Sequence, residues 1–416
     1  MPVPAYAIVK PRKYTRPVQV VVVGSGAREH ALAWRLAQSP GLTELHAAPG
    51  NPGIAALGRC HPVRPDDAEG LLSLAVTIGA DLVVIGPEGP LVAGVADELR
   101  VNGIPVFGPS ADAARIEGSK SFAKDVMRTA GIPIAETLSV ARPPCVVKAD
   151  GLASGKGVFV CHTTEELDAA LQAVTAFGGD FVIEELLDGE EVSLFALTDG
   201  RRVVPFGAAQ DFKRIGDGDT GPNTGGMGAY SPVPWFEGAE ELVATIHQPV
   251  VDELARRGSP FIGVLFAGLM ITEDGPKVLE FNARFGDPET QVLMPRLEGD
   301  LLQLLFACAV GDLSGSSARL GDDAAVTVVL AAPDYPARSD FAGAEIEGIS
   351  AAEATGALVF HGGTAVRNGT VVTNGGRILS VTATGPTVSD ARDRAYVAVD
   401  LISFDGVQYR RDIARV

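Results

Sequence analysis

Apolar runs broken by glycine turns set the rhythm of the first hundred residues. VQVVVVG (18–24) leads straight into GSGAREHALAWRLAQSP, where apolar positions recur at helical spacing. That pattern predicts a buried strand, a glycine turn and an amphipathic helix. ADLVVIGPEGPLVAGVADELR (80–100) repeats it, and IPVFGPS (104–110) adds a further strand. Strands alternating with helices imply an α/β unit with a doubly wound parallel sheet, binding ligands at the carboxyl ends of its strands. This unit is expected to span 18–117.

GSKSFAKDVMRTAGIPIAE (118–136) then opens a helix, with Ser119 as N-cap and Gly131 as its C′ stop. PCVVKADG, GVFVCH, a helix over 164–176 and DFVIEELL compose a small α+β unit, 118–190. The next segment, 191–325, carries the strands EVSLFALTDG, RVVPFGAAQ, FIGVLFAGLMI and PKVLEFNARF and a helix around 238–257. The last stretch, 326–416, is rich in valine, glycine and threonine. It predicts a mostly-β domain of hairpins, with RNGT and TNGG as turn signals.

Composition narrows the function. A chain of 416 residues is too long for one core, and its 46% hydrophobic and 21% charged residues are those of a soluble globular protein. The apolar run at 261–271 is well short of the ~20 residues that span a bilayer. A net charge of −18 disfavours nucleic acid as partner, yet local lysines and backbone N–H groups still hold small anions. Four cysteines without a CxxC pair suit reduced thiols in the cytoplasm. The first 17 residues carry four basic groups, no acid and no apolar signal core, so a disordered extension is expected.

DGLASGKGV (150–158) bears on the chemistry. A Walker loop needs G-x-x-x-x-G-K-[ST], whose hydroxyl binds magnesium; here Gly151 is one residue too close to Gly155-Lys156, and Gly157 replaces the hydroxyl. What remains is a glycine-rich hairpin whose N–H groups and Lys156 cover a triphosphate, or else a plain β-turn. The metal then belongs elsewhere. In KVLEFNARFGDPETQ, Glu280, Asn282 and Arg284 alternate with apolar residues, which on a strand puts them on one face. A carboxylate and an amide oxygen two residues apart suit Mg²⁺ bridged to phosphate, with Arg284 to neutralise a phosphoryl group. A half-solvated strand face shows the same alternation; a nucleotide loop is what makes a metal site necessary. Asp287-Pro288 reads as N-cap and N1 of a following helix.

Lys148, inside an apolar strand, requires an anion, expected to be phosphate. Lys120 opposes the dipole of its helix, so it either meets an anion or is simply exposed. VIEELLDGEEVS (182–193) offers a strand edge for a purine and Glu191 for ribose hydroxyls, or a surface acidic run. GSGAREH starts like a dinucleotide fingerprint, but Glu29 stands at its sixth position, leaving at most one phosphate at the helix N-terminus. APGNPG and GPEGP complete that pocket. The long loop QDFKRIGDGDTGPNTGGMGAYSP (210–232) is favoured as a substrate loop.

Taken together, GSGAREHALAW, VKADGLASGKGV, IEELLDGEEVS, DTGPNTGGMGAYSP and EFNARFGDPETQ make the chain, from about Val18 to its end, resemble the phosphoribosylamine–glycine ligase family of the ATP-grasp superfamily. The resemblance implies a monomeric cytoplasmic enzyme of purine biosynthesis that joins glycine to 5-phosphoribosylamine through glycyl phosphate. ATP and Mg²⁺ or Mn²⁺ are its implied cofactors, with no nucleic acid and no membrane as partner. It makes Glu280 and Asn282 the metal ligands. ATP falls to Lys120, Lys148, Gly151, Ser154, Gly155, Lys156, Gly157, Glu184, Glu185, Leu187 and Glu191. Phosphoribosylamine falls to the N-terminal Gly24, Gly26, Arg28, Glu29, Gly50, Asn51, Pro87 and Glu88. Asp211, Thr224, Gly225, Gly226 and Met227 are the loop's substrate residues, and Arg284, Lys148 and Lys156 are the catalytic cations. The small domain is shorter than is usual in the family by about a helix in total. GVLFAGLMI also lacks the acidic metal ligand that many ATP-grasp strands carry there. A different ATP-grasp ligase or carboxylase, or a nucleotide sensor without turnover, are the competing readings.

Overall fold

A computed structural model describes residues 18–152 and 157–415, apart from the side chain of Ala176. The expectations for 1–17 and for Ser154, Gly155 and Lys156 lie outside the described residues. The apolar VQVVVV run forms β1 (Val18–Gly24), central in a parallel sheet with β2 (Leu42–Pro49), β3 (Arg59–Cys60), β4 (Leu82–Ile85) and β5 (Val106–Phe107). Its order, β3-β2-β1-β4-β5, reverses direction at β1 and β4, which opens a crevice beyond their carboxyl ends. β2 was hard to see in the sequence because its first half, Leu42–Glu44, is half-buried or exposed and only its second half is buried.

Ser119 caps the helix Lys120–Thr129 by accepting from the Phe122 N–H, and Gly131 follows in the left-handed region at φ 71°, both as expected. The small unit is a sheet of β6 (Cys145–Ala149), β7 (Val158–Cys161) and β8 (Phe181–Glu185), ordered β7-β6-β8 and antiparallel throughout. Val147, Ala149, Leu167 and Val174 form its own small core against the helix Thr164–Ala173, whose last turn tightens to a 3₁₀ helix, Val174–Phe177. The short lid therefore packs as a complete layer.

The strands that follow are β9 (Glu190–Asp199), β10 (Val203–Asp211), β11 (Arg214–Gly216), β12 (Thr220–Asn223), β13 (Gly228–Ser231), β14 (Ile262–Thr272) and β15 (Gly275–Asn282). Beyond them come β16 (Leu297–Glu298), β17 (Arg319–Leu320), β18 (Ala324–Ala331), β19 (Ala342–Glu345), β20 (Leu358–His361), β21 (Thr364–Arg367), β22 (Thr370–Asn374) and β23 (Arg377–Gly385). Among the described residues, eight of these make one sheet in the order β15-β14-β9-β10-β13-β18-β23-β20. The boundary expected at 325 thus falls inside β18, and the central and C-terminal segments share a sheet. RNGT is a two-residue hairpin between β21 and β22, with Asn368 and Gly369 both at positive φ. TNGG is not a hairpin. It carries the chain from the small sheet β19-β22-β21 into β23 of the large one.

The helix expected around 238–257 is divided into Ala239–Leu242, a π turn Val243–His247 and Gln248–Arg256. Pro249, with no N–H to offer the preceding turn, accounts for the widening. Phe285, just past β15, packs on Phe107 of β5 and on Phe195 and Phe206 of the sheet, tying the parallel unit to the sheet core. The C-terminal tail returns across the molecule: Arg410, 1% exposed, pairs with Asp219 and Asp412 at 2.6 and 2.7 Å and holds the β11–β12 hairpin. No described helix is long and apolar enough to cross a membrane.

His30 and His361 meet where the parallel unit touches the C-terminal segment, the His361 N–H donating to His30 Nδ1 at 2.8 Å. Burial lowers His361 to about 4, and burial with the facing His361 lowers His30 to about 3. Both groups take up protons more readily once unfolded, so their contribution is complete above the ordinary histidine pKa of ~6.5 and is lost as pH falls through it. His361 alone then forfeits on the order of 2 kcal/mol by pH 5. Urea unfolding at pH 7.5 and pH 5.0 should show that drop, and His361→Gln should lessen it.

Candidate functional site: a charged cleft between four segments

A cavity of about 720 Å³ opens where the parallel unit, the small lid, the large sheet and the C-terminal segment converge. Strand register lays out its floor. Ser193 of β9 lies opposite Gly268 of β14, and Gly268 opposite Glu280 of β15. One step along, Phe266 faces Asn282. Glu280 and Asn282 therefore share a face, as the alternation predicted, while Phe281 packs beneath them at 1% exposure. Gly268 carries no side chain, so the space between Ser193 and Glu280 stays open. Both Glu280 and Asn282 line the cavity.

The electrostatics keep Glu280 ionised. Burial would raise its carboxyl, but Lys213, Lys148, Lys120 and Arg284 together lower it below the ordinary range. Asn282 Oδ1 has a long contact of 3.4 Å from Arg284 Nη2. Among the described residues, no group of three or more His, Cys, Asp or Glu could hold a metal. Two hard oxygens from the protein, with phosphate and water completing the shell, is the donor set that Mg²⁺ favours, so these residues fit a phosphate-bridging divalent cation.

The lid supplies cations. Lys148, on β6, reaches Glu184 Oε2 at 2.8 Å and the Leu279 carbonyl at 3.2 Å. Leu279 is the bulged residue of β15, where the register slips between Gly268 and Leu269, which turns its carbonyl toward the lysine. Glu184 Oε1 pairs with Lys124 at 3.0 Å, and Glu184 is only 3% exposed. The anion expected beside Lys148 is thus first of all a protein carboxylate. Two ammonium groups around one carboxylate still leave a surplus positive charge at the cavity wall, where a phosphate would balance it. Lys120 Nζ contacts the Gly151 carbonyl at 3.3 Å, and the Lys120 N–H donates to Asp150. Glu185, Leu187 and Gly157 also line the cavity.

A second charge centre faces the first. Lys213 pairs with Glu191 and lies 3.9 Å from Asp211. Burial pushes Asp211 up to about 7 against the pull of Lys213, with Glu289 and Glu191 adding to the rise. Burial raises Glu289 as well, while Ser193 donates to it at 3.0 Å. Thr224 and Gly225 reach the cavity, but Gly226 and Met227 do not. Met227 is fully buried, and Gly226 adopts φ 109° with no room for a Cβ against Pro288. Arg377 grips this loop, donating to the carbonyls of Gly225 and Asp287 at 2.5 and 2.7 Å.

Arg284 lies just beyond β15 and is already engaged. Its Nε meets Glu88 at 3.3 Å and its Nη2 meets Glu117 at 3.0 Å. Burial would lower Arg284, but Glu117 and Glu88 more than offset this and raise it above its ordinary value. Burial would raise Glu88, yet Arg284 and Arg28 hold its carboxyl down at about 2. Asp287-Pro288 also departs from expectation: the helix Glu289–Arg296 takes Pro288 as its N-cap, because Asp287 turns to Arg377 at 3.2 Å and accepts from Gln291.

In the parallel unit, Arg28, Pro87 and Glu88 line the cavity, while Gly24, Gly26, Glu29, Gly50 and Asn51 stand behind it. Glu29 accepts from the Gly26 N–H at 2.6 Å, and its carboxyl fills the space that a Cβ at Gly24 or Gly86 would need. The phosphate position expected at that helix start is occupied by this carboxylate. Asn51 caps the short helix Pro52–Ala55 and donates to the carbonyls of Ser25 and His361, a bracing role. Sequence reasoning missed Glu117, Lys124, Lys213, Glu289 and Arg377. Lys213 was within reach, two residues after Asp211 on the loop already singled out.

A nucleotide-sized cleft between a glycine-looped lid sheet and a metal-suited strand defines an ATP-grasp protein. Three family models match: phosphoribosylglycinamide synthetase N domain over 18–117, its ATP-grasp (A) domain over 118–290 and its C domain over 325–416. The phosphoribosylamine–glycine ligase of Streptomyces coelicolor is 52% identical over 414 residues, covering 95% of this chain and 99% of that protein. That of Mesorhizobium japonicum is 51% identical over 95% of this chain and 97% of its own length. The crystal structure of the Thermotoga maritima phosphoribosylamine–glycine ligase superposes with a TM-score of 0.81 at 34% identity, over 95% of this chain and all of that one. The chain belongs to the phosphoribosylglycinamide synthetase family.

Replacing Lys148 by alanine should weaken binding of a non-hydrolysable ATP analogue about tenfold or more, consistent with the loss of a charge-assisted contact. Calorimetry checks this; unchanged affinity would leave Lys148 as a partner of Glu184 alone.

Proposed function

We propose that this chain ligates glycine to 5-phosphoribosylamine at the expense of ATP, forming glycinamide ribonucleotide, ADP and phosphate in purine biosynthesis. The observation that carries the reading is the single cleft in which Glu280 and Asn282 face the Lys148–Glu184–Lys124 cluster, with all four segments contributing walls. Val146, Val158, Val160 and Leu186 from the lid and Met270 from β14 line that cleft and supply an apolar slot for a purine, with Glu185 and Leu187 at its edge and Glu191 toward the ribose.

A carboxylate acylates an amine poorly at neutral pH, so glycine first takes the γ-phosphoryl group, and ADP stays with glycyl phosphate in the closed site until the amine has reacted. The amine of phosphoribosylamine then attacks the acyl carbon of glycyl phosphate, and phosphate leaves. Glu280 and Asn282 would hold Mg²⁺ or Mn²⁺, which would supply positive charge to offset that of the polyphosphate. Lys148 and Lys120 orient the polyphosphate, with Gly151 and Gly157 beside it, and Lys156 is proposed to share that task. Asp211, Thr224, Gly225 and Arg377 form the amino-acid side. Arg28 and Glu88 face the phosphoribosylamine side, and Arg284 stands between the two. Closure of the lid excludes the water that would hydrolyse the acyl phosphate. The free thiols of Cys60, Cys145, Cys161 and Cys308 suit the cytoplasm.

In the assay, ADP release should require glycine and phosphoribosylamine together. Glu280→Ala should lower turnover about a hundredfold or more without lowering the thermal midpoint. Wild-type turnover in that variant would remove the metal assignment, and ADP release without the ribosylamine would point to another ligase.

A further inference from the structure

Glu117 belongs to the last turn of the helix Ala111–Gly118, where the parallel unit meets the rest of the chain, and its side chain is 8% exposed. One carboxylate oxygen accepts from the Ala283 N–H at 2.7 Å. The other pairs with Arg284 Nη2 at 3.0 Å. Ala283 lies between Asn282 and Arg284, one residue after the β14–β15 ladder stops at the Phe266–Asn282 pair. Its N–H therefore has no neighbouring strand to bond, and a buried N–H without an acceptor is costly. Glu117 supplies the acceptor from a different segment of the chain.

We propose that Glu117 is the positioning residue for the metal strand, holding Asn282 in place to receive a divalent cation and keeping Arg284 off it. The bond to Ala283 fixes the peptide that follows Asn282, and with it the direction of the Asn282 side chain. The same carboxylate draws Arg284 Nη2 to 3.0 Å, while the contact of that nitrogen with Asn282 Oδ1 is 3.4 Å. Without Glu117, Arg284 Nε keeps Glu88 at 3.3 Å, while Nη2 would close on Asn282 Oδ1, already 3.4 Å away and one of the oxygens the cation needs. The family model for the N domain ends at this residue, so the device also joins the parallel unit to the chemistry of the sheet.

The inference rests on the metal assignment above, and its test separates the two. Mn²⁺ binding in the presence of ADP is followed by the free-ion electron paramagnetic resonance signal, alongside thermal melts. Glu117→Leu should weaken Mn²⁺ binding about 10–100-fold, the usual cost of losing a group that orients a metal ligand. Glu117→Gln, whose amide oxygen still accepts from Ala283, should fall between Glu117→Leu and the wild type. Arg257→Ala is the control for general destabilisation, since its ion pairs with Asp125 and Glu253 lie outside the cleft, and it should bind Mn²⁺ normally. Wild-type Mn²⁺ affinity in both Glu117 variants, with affinity lost in Glu280→Ala, overturns the role of Glu117 and leaves the metal site standing. Normal binding in Glu280→Ala removes the metal site itself. Equal weakening in Arg257→Ala reduces the effect to stability and also overturns the proposal. If Glu117→Leu fails to fold, Glu117→Gln decides: a loss of about threefold or more supports the role, and none rejects it.

Discussion

Charge balance inside one cleft is the constraint on which the rest of the structure depends. The Lys124–Lys148 pair is set against Glu184 of its own lid and Lys213 against Glu191 and Asp211 of its own sheet segment, while Arg284 reaches across to Glu88 and Glu117 of the parallel unit. Removing such groups from water is costly unless each finds a partner, and Arg284 finds its carboxylates only across the segment boundary. The parallel unit supplies Glu88 and Glu117, the lid supplies Glu184, and the sheet supplies Glu191, Asp211 and Glu280. Docking the parallel unit on the sheet therefore completes the surroundings of Arg284. The balance is also uneven, with surplus positive charge at the lid wall and crowded carboxylates around Asp211 and Glu289. A polyphosphate and an ammonium-bearing amino acid are complementary to those two ends.

Backbone detail serves that balance. The bulge at Leu279 turns a carbonyl toward Lys148 without breaking the face shared by Glu280 and Asn282. Gly268, bare between Ser193 and Glu280, leaves the floor open. Phe285 fixes the strand end by stacking across the segment boundary, so the residues just before it are anchored on the apolar side as well as the polar one.

Much of this was legible in the sequence, and the limits were physical. The parallel unit followed from apolar runs and glycine turns, and the shared face of Glu280 and Asn282 followed from the period of two. The Ser119 cap and Gly131 stop fell where local hydrogen bonding and positive φ place them. Partners distant in the chain were harder to see. Glu184 beside Lys148 is a pairing across two strands, and nothing local marks it. Arg377 follows a turn signal that looked like a hairpin but joins two sheets. Glu29 was recognisable as a break in the dinucleotide pattern, yet only packing shows that its carboxyl fills the room the glycines leave. Met227 and Gly226 belong to a loop that reaches the cavity through Thr224 and Gly225, but a loop's polarity does not say which of its residues turn inward.

The continuous sheet from β15 to β20 changes what the C-terminal quarter is. A segment added after an active site has evolved would be expected to dock by its surface and to be separable. Here β18 pairs with β13 on one side and β23 on the other, and Arg410 reaches back to pin the β11–β12 hairpin. Cutting the chain near residue 325 would leave two raw strand edges in place of two domains. Evolutionary exchange of this module between enzymes would have to carry a strand and its ladder with it, which makes the C-terminal segment a poor candidate for independent shuffling.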